Sequence, residues 1–586
     1  MKGQMFAKIF EKRLIVIVGT YLALVSPVFS ANDMTEESLF DMHAIMTDPL
    51  DIKVLGSTEK SGVIIEKLEF NGDTHNGKPV RIYGVLGYPK DAKKVPAIFW
   101  SQSGMYPADE YMPVFYGKRG YACMCVTLPH SIWNPNVPFD TKNPRDANLT
   151  HYAIVQMRAI TLLASVPQVD PDRIGVGGSS YGGFFSSLIA GADPRIKAGV
   201  SFFAGGNHRL GTNLPQFTGL SSAEDIAVWD STIDPALRLR HRNIPFIWGV
   251  ASNDNWFYFP AVIKTFADFC GEKRLVIAPM WEHGFPENID EELFSWFDIY
   301  LKKTRAPYNQ PSALSMTSRR GKLVATWSWT GDNRITKADL IVSYGKVLPW
   351  RWWTFRNQIV FPAIIRGNTA VTEIPAPEPH LEMIVYGNIM DERGVVISTL
   401  PRTIIPKDFG ILTPTTKKTF NCFPFPEFSD ETLINMRRLG ISYGEGDKEV
   451  TRNRRQSIKI TSSETGNKQA CLRFKLLGVP EHSHVLRLWL RADRKAKIRI
   501  EVTGVMPRNA SSPVVSILRG VAEPSSMKAP SYGQDFLAGP SWKEVQLSCP
   551  FKGEPIEGYE LTISCPIPGT TAWIEGISFE PIWRKF

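Results

Sequence analysis

The sequence predicts an α/β protein extended by β structure: a mostly parallel eight-stranded sheet with helices on both faces, followed by two β-sandwich-like regions. Three observations carry this. Short apolar runs alternate with amphipathic stretches from residue 62 to 304, the pattern of strands joined by crossover helices. After Lys303 the texture changes to short alternating runs with frequent turn residues and little helical periodicity. The 586 residues also exceed the roughly 250–300 that one hydrophobic core accommodates.

Taken in chain order, residues 1–30 read as an export signal. Lys2, Lys8, Lys12 and Arg13 precede the apolar run Leu14 to Val25, and Ser26, Pro27 and Ser30 follow, with cleavage expected after Ser30. A run of about 12 residues is short of the roughly 20 that a membrane span needs, and no later stretch is long and apolar enough. The expected location is secreted or periplasmic.

Residues 31–305 form the predicted α/β domain. Its strands are the runs Val63 to Phe70, Val80 to Gly87, Pro96 to Trp100, Ala122 to Leu128, Ile174 to Gly177, Ala198 to Phe203, Pro245 to Val250 and Leu275 to Ala278. Its helices are Tyr152 to Ala164, Gly182 to Ala190, Ala261 to Cys270 and Glu291 to Lys302. The first runs are joined by short turns, so antiparallel strands should come first and parallel ones after.

Residues 306–408, with runs Leu323 to Trp329, Ala338 to Ser343 and Glu382 to Tyr386, match the length of one immunoglobulin- or fibronectin-like sandwich. Past a boundary at Pro406 to Pro414, residues 409–586 carry six more runs, from Ala470 to Leu477 through Ala572 to Phe579, and suggest a jelly roll.

Composition narrows the function classes. The hydrophobic fraction is 43% and the charged fraction 21%, ordinary for a folded chain. Residues 1–30 hold four Lys/Arg and one Glu, so their removal lowers the formal charge from +9 to about +6, too weak a balance to argue for nucleic acid. The seven cysteines show no metal-ligand spacing; Cys123 and Cys125 share one face of a predicted strand, as a buried thiol pair would, and pairing among the last four cannot be assigned.

The chemistry concentrates in Gly178-Ser179-Ser180-Tyr181-Gly182, a G-x-S-x-G motif between the strand ending at Gly177 and the helix from Gly182. A strand that turns directly into a helix holds its serine in a strained conformation, and glycines at both offsets leave the space that a Cβ fills. Only Ser180 has both glycines, so Ser179 is the neighbour. A serine hydroxyl needs a base, and of ten histidines only His208, His241 and His283 follow it in this domain; His283 alone comes just after a predicted strand. The orienting acid should follow the strand Pro245 to Val250, where Asp254 is the one carboxylate, with a helix N-cap or Asx-turn as its alternative role. The oxyanion donors expected are the N–H of Tyr181 and one from the loop Ser101 to Met105, left open between Gln102, Ser103 and Gly104.

These residues resemble the acetyl xylan esterase and dienelactone-hydrolase-like group of the α/β-hydrolase superfamily, and the catalytic domain of prolyl oligopeptidases. The shared features are Val169-Asp170-Pro171-Asp172-Arg173-Ile174 leading into the glycine-rich turn, Asn253-Asp254, and His283-Gly284. The resemblance covers about residues 60–304 and implies hydrolysis of an ester or amide through an acyl-serine, with no metal or organic cofactor. Too few residues precede the first strand for the propeller of the oligopeptidases, which favours an esterase acting on a small ester or acylated polysaccharide. A peptidase and a non-catalytic carbohydrate-binding protein are the alternatives.

His208 to His241 is long enough for a lid, Trp229, Trp256 and Trp281 are placed to line an acyl pocket or to pack, and the aromatic cluster Pro349 to Phe355 is either sandwich core or a sugar-stacking surface.

Overall fold

The computed structural model describes residues 39–584 apart from 105, 135, 255, 282, 285–293, 346–357, 417–420, 422–444, 453–455, 463–469, 477, 480–481, 506–529 and 551–557. The export segment, Cys422 and the cluster Pro349 to Phe355 lie outside the described residues.

The α/β domain is built on a nine-stranded sheet: β1 (Lys53–Lys60), β2 (Val63–His75), β3 (Lys78–Pro89), β4 (Val95–Ser101), β5 (Ala122–Val126), β6 (Val169–Ser179), β7 (Ile196–Phe202), β8 (Phe246–Ala251) and β9 (Lys273–Ala278). Their spatial order is β1-β2-β3-β5-β4-β6-β7-β8-β9. The strands β1, β2, β3 and β5 pair antiparallel, and every pairing from β5 through β9 is parallel. The eight expected strands are all present. The ninth, β1, is an edge strand exposed along its whole length, so no apolar run announces it.

Helices flank this sheet: α1 (Met42–Thr47), α2 (Tyr111–Gly117), α3 (Asn148–Ser165), α4 (Tyr181–Ala192), α5 (Pro215–Thr218), α6 (Ala223–Thr232), α7 (Pro235–Leu239) and α8 (Phe259–Asp268). Helix α3 is buried nearly all round, which fits a helix covered on its outer side by α1 as well as on its sheet side. The stretch expected as a helix from Glu291 is described from Phe294 on, and ends in a π-helical turn at Asp298–Lys302.

Two five-stranded antiparallel sheets occupy residues 310–404, and a five-stranded and a four-stranded antiparallel sheet occupy 445–581. The first pair covers the β9 edge of the α/β sheet, the one opposite β1, and an open edge is otherwise a pairing hazard. Ile277 N–H of β9 donates to Ser398 Oγ at 3.0 Å, and the buried Arg274 guanidinium donates to the carbonyls of Tyr308 and Asn309. The two β regions are joined by a buried hydrogen bond between His482 Nε2 and Glu378 Oε1 at 3.0 Å. Burial opposes the charge on Glu378, but hydrogen bonds from His482 and from the Arg584 N–H outweigh it and hold the carboxyl below its ordinary range. The segment at the expected boundary folds back on the first β region, Thr415 exchanging hydrogen bonds with Ala376.

Among the described residues six cysteines are free thiols, including Cys471, Cys549 and Cys565. Cys123 and Cys125 are buried side by side on β5, and burial pushes both thiols up, Cys125 to about 12. No described helix is long and apolar enough to cross a membrane.

Candidate active site

In a parallel sheet the loops leaving the strand carboxyl ends share one edge, and four such loops converge here. The first is the turn from β6 into α4. Ser180 occupies the helix N-cap with φ 57° and ψ −120°, a conformation that costs a non-glycine residue about 1–3 kcal/mol and persists only where surroundings enforce it. Its N–H is tied to Phe202 O of β7 at 2.9 Å.

The flanking glycines explain why the turn closes. A Cβ on Gly178 would stand 2.4 Å from Gly182 O, and one on Gly182 would stand 2.1 Å from Ser101 O and 2.8 Å from Gln102 O. All of these are backbone atoms that cannot swing aside, so G-x-S-x-G is a packing requirement at this junction.

The second loop follows β8. Asp254 is buried, 2% exposed, and a buried carboxylate must be hydrogen-bonded. Its Oδ1 accepts the N–H groups of Trp256 at 2.7 Å and Phe257 at 3.0 Å, and its Oδ2 lies 2.8 Å from His283 Nδ1. The Asx-turn considered as an alternative to the acid role is therefore real and coexists with the contact to His283.

The third loop, after β9, is fastened to the second: Ser252 N–H donates to Ala278 O, Asn253 N–H to Trp281 O, and Met280 N–H to Ser252 Oγ. These bonds carry His283 to Ser180, with Nε2 2.6 Å from Ser180 Oγ. Asp254 as a carboxylate only accepts, so Nδ1 bears the imidazole proton and Nε2 accepts from the serine hydroxyl. The imidazole is packed by Phe203 at 5.3 Å and Phe257 at 6.1 Å, the latter nearly parallel.

The fourth loop follows β4. Ser101 pairs with Gly178, and its buried Oγ donates to Gln156 Oε1 of α3 at 2.5 Å. Gln102 follows with its carbonyl close to Gly182 of α4, then Ser103 and Gly104, the latter at φ +56°. The Tyr181 N–H is the first of α4, one of the groups an α-helix leaves without an intrahelical acceptor. Tyr181 adjoins the serine in sequence, and the loop reaches the same turn at Gly182.

The structure therefore brings Ser180, His283, Asp254 and Tyr181 together with the loop holding Gln102, Ser103 and Gly104. His208 and His241 stand elsewhere. His208 is fully buried among Phe184, Phe217, Trp229 and Phe257, and burial lowers its basicity, its ring 3.7 Å from Asp234. Trp229 is also core, its Nε1–H donating to Asp234, which removes it from the expected pocket lining. Trp281 lies in the His283 loop, and Trp256 stands exposed next to His283. The segment His208 to His241 packs beside the site: Asn213 N–H donates to Trp256 O, and Gln216 Nε2 reaches Tyr181 OH at 3.4 Å.

Phe203, Phe257 and the Ser101–Gln156 pair were not foreseen. Ser101 and Gln156 are 55 residues apart and match no local motif. Among the described residues no group of three or more His, Cys, Asp or Glu is placed to hold a metal ion. Chemically, a hydroxyl bonded to an oriented imidazole can lose its proton while attacking an electrophilic carbon, with adjacent N–H groups receiving the negative charge.

The sheet order, the antiparallel start and the strained serine between β6 and α4 give residues 53–302 a fold of the α/β-hydrolase type. The chain matches no protein-family model. It is 31% identical over 141 residues to the acetyl esterase Axe7A of Xylanibacter ruminicola, an alignment covering 20% of this chain and 32% of that protein. The chain thus spans about a third of the length of the curated relative it matches. Similar solved structures include an acetyl xylan esterase from Paenibacillus sp. R4, at 15% identity and TM-score 0.41 over 47% of this chain and 97% of that one. Acetyl xylan esterase 1 from Thermoanaerobacterium sp. JW/SL YS485 is 18% identical with TM-score 0.38 over 43% and 88%. The acylaminoacyl peptidase of Pyrococcus horikoshii is 14% identical with TM-score 0.33 over 44% and 50%.

Proposed function

We propose that the protein is an exported serine esterase that removes small acyl groups, acetyl foremost, from a carbohydrate. The observation that carries the reading is the hydrogen-bonded series Ser180–His283–Asp254, and the partial similarity to a protein named as an acetyl esterase supports it.

In this reading Ser180 Oγ attacks the ester carbonyl carbon as its proton passes to His283 Nε2. Asp254 keeps the other imidazole proton on Nδ1 and offsets the positive charge that forms. The carbonyl oxygen becomes an oxyanion held by the Tyr181 N–H and an N–H of the Gln102 to Gly104 loop. Collapse breaks the C–O bond to the alcohol, which leaves with the proton from His283, and Ser180 stays acylated. Water then repeats the sequence: His283 removes its proton, the hydroxyl adds to the acyl carbon, and Ser180 departs with that proton as the acid is released. No step calls on a metal or organic cofactor.

The test is release of 4-nitrophenol from 4-nitrophenyl acetate by the protein and its Ser180→Ala variant. Turnover lost in the variant is the expected result; equal rates in both, or none in either, overturn the reading.

A further inference from the structure

Trp256 is fixed at its backbone and open at its side chain. Its N–H donates to Asp254 Oδ1, while its carbonyl accepts from Asn213 N–H at 2.8 Å and Thr212 Oγ1 at 3.2 Å. The two residues after it turn inward, Phe257 at 3% and Tyr258 at 5% exposure, yet the indole is 46% exposed. A single exposed apolar side chain is ordinary on a protein surface. This one is held beside a particular group: its ring centroid lies 6.5 Å from that of His283, with the planes at 51°. Phe203 and Phe257 pack the imidazole as well, the first half-buried and the second buried, so among the described residues the indole is the ring beside His283 most open to a solute.

The chemistry says what meets it. In the proposed reaction the alcohol departs with the proton from His283 Nε2, so the alcohol oxygen must stand within hydrogen-bond reach of that nitrogen, about 3 Å. An acetyl group is small, and nearly all the rest of the substrate is the alcohol. A sugar ring attached to that oxygen therefore lies beside the imidazole, where the exposed indole stands with its centroid 6.5 Å away.

We infer that Trp256 sets specificity on the alcohol side: its indole face stacks on the sugar ring whose hydroxyl bears the acyl group. This inference rests on the esterase reading above. A planar indole presents a large, rigid apolar face at little cost in side-chain freedom, suited to the C–H face of a pyranose. A small alkyl alcohol has no ring to place there, so the indole acts through the ratio between the two kinds of ester.

The experiment compares kcat/KM for acetylated xylo-oligosaccharides and for ethyl acetate in the unaltered protein, Trp256→Ala, Trp256→Leu and Trp256→Phe. The expected result is a fall of tenfold or more in the sugar-ester to ethyl-acetate ratio for both Ala and Leu, expressed mainly in KM. Phe, which restores an aromatic face, should bring the ratio back to within about threefold. Leu retains apolar bulk at the loop, so the result does not depend on how well the Ala variant folds. A ratio within twofold of the original in Leu and Ala overturns the inference while turnover of ethyl acetate leaves the esterase reading standing. Failure of the unaltered protein to hydrolyse either ester overturns the esterase reading and the inference with it.

Discussion

Asp254→Asn separates the orientation of His283 from the architecture of its loop. Asp254 Oδ1 accepts the Trp256 and Phe257 N–H groups, and an asparagine carbonyl oxygen accepts them equally, so the turn is kept. The amide nitrogen then faces His283 Nδ1, where Oδ2 stood at 2.8 Å. An NH2 group donates, so Nδ1 must accept and the imidazole proton moves to Nε2. With that proton Nε2 cannot accept from Ser180 Oγ, now 2.6 Å away. The base is lost without removing an atom of the histidine. Wrong-tautomer substitutions of this kind cost on the order of 10⁴ in kcat, equivalent to about 5.5 kcal/mol of transition-state stabilisation. The assay is steady-state hydrolysis of 4-nitrophenyl acetate together with a thermal melt. The expected result is the 10⁴-fold loss with Tm shifted by no more than a few degrees. A loss of less than tenfold with Tm unchanged refutes the assignment of Asp254.

Three other outcomes follow from single contacts. Gly182→Ala places a Cβ 2.1 Å from Ser101 O, and since backbone must move the variant should lose about 2 kcal/mol or more in a urea titration; stability equal to that of the unaltered protein contradicts the packing argument. Ser101→Ala leaves the buried Gln156 Oε1 without its donor and loosens the loop to which the proposed mechanism assigns an oxyanion N–H, so kcat should fall with KM little changed and stability should drop by about 1–3 kcal/mol. Unchanged kcat in that variant removes the loop from the account. Burial, with the nearby Asp234 charge, raises the Asp230 carboxyl to about 7 despite Arg209. Between about 4 and 7 the unfolded chain is ionised at this residue while the folded one retains the proton, so stability falls as pH rises through that window. Asp230→Asn escapes the cost, and its Tm relative to the unaltered protein should be higher at pH 8 than at pH 4; the same difference at both pH values contradicts this.

What was legible in the sequence follows from what each feature buries. Strands β2 to β9 were visible because their apolar runs are buried, whereas β1, Lys53–Lys60, is exposed throughout and is held to β2 by its backbone ladder. Helix α3 begins at Asn148, ahead of the apolar stretch that predicted it, because its polar first turn is buried through specific partners: Thr150 Oγ1 donates to Pro144 O, and His151 Nδ1 meets Asp73 at 2.7 Å. Helix α2 was missed since Pro113 interrupts any simple periodic reading of its seven residues.

The site was more legible than its surroundings. Ser180, Asp254 and His283 each follow a strand in an order set by the chain, and the glycines around Ser180 record a clash that only their hydrogens avoid. The packing of His283 and the anchoring of the Ser101 loop come from residues distant in sequence, brought near by sheet order alone. Trp229 illustrates the limit: its spacing was compatible with a pocket, and the burial of α6 against His208 and Phe217 placed it in the core.

The most direct test of the central claim is the site of covalent capture by a fluorophosphonate. The protein is labelled, digested with trypsin, and the peptide running from Ile174 to Arg195 is sequenced by mass spectrometry. That peptide contains Ser179, Ser180, Ser186 and Ser187, so it separates the elbow serine from its neighbours. The account predicts one phosphonyl adduct, on Ser180, absent from Ser180→Ala and strongly slowed in Asp254→Asn. Full labelling of Ser180→Ala, or no adduct on the unaltered protein, contradicts it.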